Sequence, residues 1–283
     1  MTNRANHIPD FEKIRIKGWT LYVNKDFPAT SVGDVPGLSE LVSGVRGPFD
    51  EVRSSRFARV FRCSVGFAGR CYNLYIKQYL YRSGWDFVKH LFRLSRAERS
   101  FKASAMLAEH GFCVPEMIAM GRRKYGPFCT ANFLITLQLE DAKAIHSFLP
   151  EEGKAQSPAS VRDRRRLIKA LGQTIGRMHA AGIFHGDLRA GNVFAKKTKG
   201  RWQFFFLDNE RTKRYHHLPD RLRLKNLVQI NMLRAECISD TDRMRFFKSY
   251  LLENPEINKD VKRWERKVAY KTDYRLRDQN LIA

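Results

Sequence analysis

The stretch "FHGDLRAGNVF", residues 184–194, is apolar at both ends and carries His185, Asp187, Arg189 and Asn192 in between. Gly, Asp and Asn are ordinary turn residues, so a hairpin loop is one reading. A phosphoryl-transfer loop is the other, and the flanking sequence decides between them. Upstream, Leu167, Leu171, Ile175 and Met178 recur at helical spacing, and Gly182 ends that pattern. Downstream, "WQFFFLDNE" (202–210) reads as a short, very apolar strand that runs into Asp208.

Further out the pattern changes. "RFARVFRCSV" and "RCYNLYIKQY", within residues 56–79, are rich in aromatic and β-branched residues, with "GFAG" (66–69) between them, and predict a strand hairpin. On its second strand Asn73, Tyr75 and Lys77 share one face, while Tyr72, Leu74 and Ile76 share the other. Residues 85–110 show helical spacing through Leu94, Ala97, Phe101, Ala105 and Ala108, closed by Gly111 and Pro115. "NFLITLQL" (132–139) predicts another strand, and the polar run 149–160 a break. The remainder is helical in pattern. The expected class is α+β, and the order of motifs set out next makes it a protein-kinase-like two-lobed fold. An antiparallel-sheet N-lobe spans 1–140 and a mainly helical C-lobe spans 141–283.

The order of the pieces carries chemistry. A strand bears Lys77, a helix follows, then His-Gly-Asp-Leu-x-x-x-Asn, then an apolar strand ending in Asp208. This is the layout of protein-kinase-like phosphotransferases. Transfer of a γ-phosphoryl group from ATP needs charge neutralisation more than covalent work. Lys77 supplies a cation for the α- and β-phosphates. Asn192 and Asp208 offer hard oxygen ligands to Mg²⁺. Asp187 orients the acceptor hydroxyl and takes its proton. His185 reads as a buried structural histidine rather than a base.

Bulk properties set the surroundings. The net charge is +23 over 283 residues, and the excess is spread along the chain rather than gathered in a tail. Such a field favours anionic partners: nucleic acid, an acidic membrane surface or a phosphorylated substrate. No zinc-finger spacing or aromatic RNA-binding signature is present, so nucleic acid is not expected. The cationic run Arg162, Arg164, Arg165 and Arg166, and the segment Arg211, Lys213 and Arg214, are the candidate contacts with an anionic membrane surface. The five cysteines are scattered without a C-x-x-C pair, which predicts small, buried free thiols. Neither an apolar run of membrane-spanning length nor an N-terminal signal pattern is visible.

From about residue 50 to 252 the chain resembles the lipopolysaccharide kinases, the Kdo and heptose kinases of Gram-negative bacteria. The likeness lies in "LYIKQY", "LSRAERSFKASAML", "FCVPEMIAMG", "RMHAAGIFHGDLRAGNVF", "FFLDNERTKR", "RLRLKNLVQINM" and "ISDTDRMRFFKSYL". The catalytic loop is common to many kinase-like families. The Ser-Arg-Ala segment and Lys225–Gln229 are more particular to this one. The resemblance implies ATP-dependent phosphorylation of an inner-core sugar hydroxyl on a lipid A-bearing lipopolysaccharide substrate, at the cytoplasmic face of the inner membrane. Other acceptors, and a non-catalytic kinase-shaped binding module, stay open on the loop alone.

The chain departs from common kinase patterns in four places. No Gly-x-Gly-x-x-Gly precedes Lys77, and "DEVRSSRFARVF" (50–61) fills that place, leaving backbone amides or Ser54 and Ser55 to cover phosphates. Gly186 stands where many protein kinases have Arg. "LDNE" (207–210) replaces Asp-Phe-Gly. In the helix after Lys77, Ser100 precedes Phe101 where several relatives have Glu. Glu98 is the nearest candidate partner for Lys77, with an exposed pair to Lys102 as the alternative.

Overall fold

The computed structural model describes residues 10–16, 18–27, 50–52, 54, 56–67, 70–81, 93–149, 157–233 and 237–278. The chain divides into two compact units, residues 1–140 and 141–283. The class is α+β, with the large sheet confined to the first unit and most of the helix to the second.

The first unit is an antiparallel sheet of β1 (Phe11–Ile16), β2 (Trp19–Asn24), β3 (Asp50–Val52), β4 (Ala58–Phe67), β5 (Arg70–Tyr79), β6 (Met117–Tyr125) and β7 (Phe128–Leu137). The strand order is β1-β2-β6-β7-β5-β4-β3. The hairpin expected over 56–79 is β4 and β5, in register from Ala58↔Tyr79 to Phe67↔Arg70. The alternation of β5 places Leu74 and Ile76 in a core with Leu21, Val65, Ile118, Phe133 and Ile135. Lys77 lies on the opposite face, the side on which Tyr79 packs with Ala97, Met120 and Leu134.

Helix α1 (Arg96–Glu109) supplies Ala97 to that second face. It starts later than the periodicity predicts. Residues 85–92 lie outside the described residues, and Leu94 is exposed ahead of the first turn. The cause is a capping box: Ser95 Oγ accepts from Glu98 N at 3.2 Å, and Glu98 Oε2 accepts from Ser95 N at 3.0 Å. The buried stripe is Ala97, Ser100, Ser104 and Leu107, whose small residues bring the helix close to the sheet. Ser100 is therefore a packing residue.

The second unit contains α2 (Pro158–Ala180), α3 (Asp220–Asn231), α4 (Asp240–Leu251) and α5 (Val261–Asp278). Short strands join them: β8 (Lys143–Ala144), β9 (Ile183–Phe184), β10 (Val193–Thr198), β11 (Arg201–Phe206) and β12 (Lys213–Arg214). Ser157 caps α2 and Pro158 opens it, so the helix begins inside the run expected to be a break. Leu167, Leu171, Ile175 and Met178 are all buried, as their spacing predicts. α4 crosses α2 at Gly176, where an added Cβ would meet the Tyr250 carbonyl oxygen at 2.9 Å. All five cysteines are free. Cys63 and Cys129 are buried, but Cys71 is exposed, contrary to the uniform burial expected.

Candidate active site

The loop after α2 is held from below by polar side chains. Gly182, in the left-handed region at φ 75°, turns the chain out of α2 into β9, which pairs with β12. The chain then passes through His185, which is fully buried. His185 Nδ1 accepts from Asp187 N at 3.2 Å, so its proton is on Nε2, which donates to Asn209 Oδ1 at 3.0 Å. Burial holds its imidazole below the ordinary histidine range and therefore neutral, against the opposing effect of its hydrogen bond to Asn209. This is the structural role the sequence predicts for it.

Asn226 of α3 clamps the same residue from the other side. Its Oδ1 accepts from His185 N at 3.0 Å, and its Nδ2 donates to His185 O at 2.6 Å and to Gln229 Oε1 at 2.9 Å. Gln229 lies one helical turn on. Its Oε1 also accepts from Leu188 N at 3.4 Å, and its Nε2 donates to Asp187 Oδ1 at 3.4 Å. A deeper layer supports Asn226. His179 Nε2 donates to its Oδ1 at 3.2 Å, and His179 Nδ1 faces the Tyr250 hydroxyl at 2.8 Å. Burial, with the nearby Arg223 cation, drives the His179 pKa down to about 3. Arg223 donates to Tyr250 and Asn254, at 2.7 and 2.5 Å.

The result is an Asp187 whose backbone and one carboxylate oxygen are fixed, while its side chain remains 29% exposed. Arg189 Nε pairs with the same Oδ1 at 2.8 Å. Asn192 follows in a short 3₁₀ turn, with its Nδ2 donating to Asp187 O at 3.0 Å. That bond leaves the Asn192 side-chain oxygen as the acceptor end of the amide. The β10–β11 ladder then brings the third residue in. Val193 pairs with Phe206, and Leu207 N donates to Asn192 O at 2.9 Å, so Asp208 emerges beside Asn192. Asp208 has φ 58° and ψ 48°, a left-handed conformation that is costly for a residue with a side chain.

Asp187, Asn192 and Asp208 thus converge at one end of the β10–β11 pair. The donor set of Asn192 and Asp208, an amide oxygen and a carboxylate, fits a hard divalent cation. Among the described residues no group of three or more His, Cys, Asp and Glu side chains could hold a metal by itself.

The first unit carries the other expected residues. Lys77 Nζ lies 5.2 Å from the centre of the Tyr79 ring, and the Arg96 guanidinium stands 5.0 Å from the same ring. Glu98 is buried and pairs with Arg122 of β6, while its other oxygen caps α1. It does not make the expected pair with Lys77, nor the alternative pair with Lys102, because Arg122 and the helix N-terminus take both of its oxygens. Ser54 Oγ donates to Ala58 O at 2.5 Å, so its single proton closes a turn before β4. Ser55 lies outside the described residues.

Sequence reading gave no individual role to Asn209, Asn226, Gln229 or Arg189. The Lys225–Gln229 segment stood out in the sequence, and the i, i+3 spacing of Asn226 and Gln229 puts both on one helix face. The arginine run also needs correction. Arg164 is largely buried and pairs with Asp242 of α4 at 3.1 Å, so it leaves the exposed cluster. Arg162, Arg165 and Arg166 are exposed, as are Arg211, Lys213 and Arg214.

Known proteins resemble this chain over most of its length. The lipopolysaccharide core heptose(I) kinase WaaP of Escherichia coli is 25% identical over 222 residues, 72% of this chain and 82% of that protein. The protein of the same name from Pseudomonas aeruginosa PAO1 is 23% identical over 159 residues, 54% of this chain and 59% of that one. A solved structure described as WaaP in complex with acyl carrier protein superposes with a TM-score of 0.64 at 20% identity. It covers 90% of this chain and 98% of that one, and shows the shared kinase-like fold. The family model for lipopolysaccharide kinases (Kdo/WaaP) matches residues 49–250, most of the chain with both the Lys77 strand and the 184–194 loop, and the chain belongs to that family.

Proposed function

We propose that the chain transfers the γ-phosphoryl group of ATP to a sugar hydroxyl, on Kdo or heptose, of the lipopolysaccharide inner core. The observation that carries this is the clamped Asp187: its backbone is pinned to His185, one carboxylate oxygen to Gln229 and Arg189, and its side chain is still open to solvent. A carboxylate so held can orient an acceptor hydroxyl and take its proton as the oxygen attacks phosphorus. Lys77 serves the α- and β-phosphate oxygens. Asn192 and Asp208 would hold Mg²⁺, and the bound ion would supply charge neutralisation at the phosphates. His185 and His179 stay neutral and keep the loop in place.

The kinase names of the relatives support a core sugar as acceptor, and the cationic chain suits one that already bears phosphate. Among the described residues no helix is long and apolar enough to cross a membrane. Work on a lipid-anchored acceptor is then peripheral, at the cytoplasmic face of the inner membrane. The test is to incubate the protein with Mg·ATP and separate core oligosaccharides that lack Kdo phosphate or heptose phosphate. Gain of one phosphate by mass spectrometry, absent with Asp187→Asn, is the expected result. ATP turnover with no sugar acceptor phosphorylated would overturn the assignment.

A further inference from the structure

α5 is anchored by Trp264, Thr272 and Leu276, which are buried. At 3.6 residues per turn, the side away from these residues presents Arg263, Arg266, Lys267, Tyr270, Tyr274 and Arg277. All six are exposed. The two tyrosines lie one turn apart, 73% and 63% exposed, and stand between cations on either side. Arg263 has Asp260 at 3.8 Å and Arg277 has Asp273 at 3.1 Å, both exposed pairs that neutralise little. Arg266 and Lys267 have no carboxylate partner among the described residues.

Cations alone would be an ordinary solvated face. Paired, exposed aromatic rings among them are not, because a tyrosine gains most where its ring is buried and its hydroxyl stays wet. The headgroup level of a bilayer is such a place, and anionic lipid also satisfies the flanking charge. We propose that this face of α5 docks on an anionic membrane surface, with Tyr270 and Tyr274 at headgroup level and the cations on lipid phosphates. The exposed end of α2 is a poorer match. Asp163 pairs with both Arg166 and Lys197 there, and Arg164 is turned inward.

The proposal rests on the reading of the chain as a kinase of a lipid-anchored acceptor, but vesicle binding can be read without turnover. Full-length protein is sedimented with vesicles of phosphatidylcholine containing about one-third phosphatidylglycerol. A cation at such a surface is worth about fivefold in affinity, so Arg263→Gln, Arg266→Gln and Lys267→Gln together should weaken binding about 100-fold. Tyr270→Ala with Tyr274→Ala should remove the part of the binding that survives salt. Arg162→Gln, Arg165→Gln and Arg166→Gln, an equal change of charge on α2, should cost no more than about fivefold. Phosphorylation of a delipidated core oligosaccharide should be unaffected by all three variants. Loss of that turnover in wild type sinks the kinase reading and leaves the vesicle result standing. The docking proposal is overturned by equal effects of the α5 and α2 triples, by equal binding to pure phosphatidylcholine, or by tighter binding to single-stranded DNA than to anionic vesicles.

Discussion

Asn226→Ala should be among the most damaging single changes in the second unit, although Asn226 belongs to none of the reacting groups. Its side chain is fully buried and serves the His185 N–H, the His185 carbonyl and the His179 Nε2–H. Alanine leaves all of these without a partner. A buried polar group so stranded costs about 1–3 kcal/mol, and a water entering the space vacated by the amide can recover part of it. A loss of about 3–6 kcal/mol is expected, a large share of the roughly 5–15 kcal/mol that holds a typical domain. In thermal melts followed by circular dichroism this corresponds to a fall of roughly 6–24 °C in Tm.

Asn226→Asp separates shape from hydrogen-bond polarity. The acid keeps the Oδ1 acceptor but sets an oxygen against His185 O and Gln229 Oε1, where the amide donated. Only the protonated acid can donate there, so the folded state raises its pKa above the unfolded value of about 3.9. Its deficit relative to wild type should therefore grow as pH rises from about 4 to 7. Unfolding in urea at pH 5 and pH 7.5 measures this. An Asn226→Ala protein within about 1 kcal/mol of wild type, or a pH-independent Asn226→Asp deficit, would refute the clamp.

Other expectations follow from the same geometry. Asp187→Asn should lower kcat by about 10²–10⁴ while nucleotide affinity stays within about threefold; activity retained within threefold would remove its role as base. Asp208→Ala should abolish the gain in ATP affinity that Mg²⁺ gives, measured by titration calorimetry with and without the ion; an undiminished gain would show that Asp208 is not a ligand. Glu98→Ala removes the Ser95 N–H half of the α1 capping box and strands the Arg122 guanidinium, so a loss of about 3–5 kcal/mol is expected in urea melts. A loss under about 1 kcal/mol would mean that the buried pair contributes little.

The placement of the 184–208 segment between a helix and a strand was legible because its polar residues and its flanks point the same way. A helix stripe ends at Gly182, an apolar strand runs into Asp208, and the polar residues between have no apolar role to play. β4 and β5 were legible for a related reason, since alternation over a long hairpin leaves one register that buries Leu74 and Ile76. The clamp was not legible, because Asn226 meets His185 across 41 residues of chain, and a polar residue on a helix carries no mark of the backbone it will meet. Arg164 was misread for the same reason. In an arginine run it looks solvated, and only the crossing of α2 by α4 brings Asp242 to it. The start of α1 was a different failure. Ser95 and Glu98 form a written capping box, but Leu94 and the apolar residues before it extended the helical pattern past the cap.

Gly186 shows how the two halves of the site in the second unit became one body. A Cβ at this position would fall 2.7 Å from the Arg211 carbonyl carbon, so only glycine lets the catalytic loop lie against the segment that follows Asp208. The contact is then fastened on both sides. Gly186 N donates to Thr212 Oγ1 at 3.4 Å, His185 donates to Asn209, and β9 pairs with β12. In protein kinases the residue at this place is commonly an arginine that answers a phosphate on a mobile segment. Here the space for such a side chain is filled by Arg211, its Cβ and main chain, and Asn209 and Glu210, just beyond Asp208, are buried. A switch that moved this segment would have to break the β9–β12 pair and strand the buried His185 Nε2–H. The arrangement that positions Asp187 beside Asn192 and Asp208 is therefore built into the folded second unit.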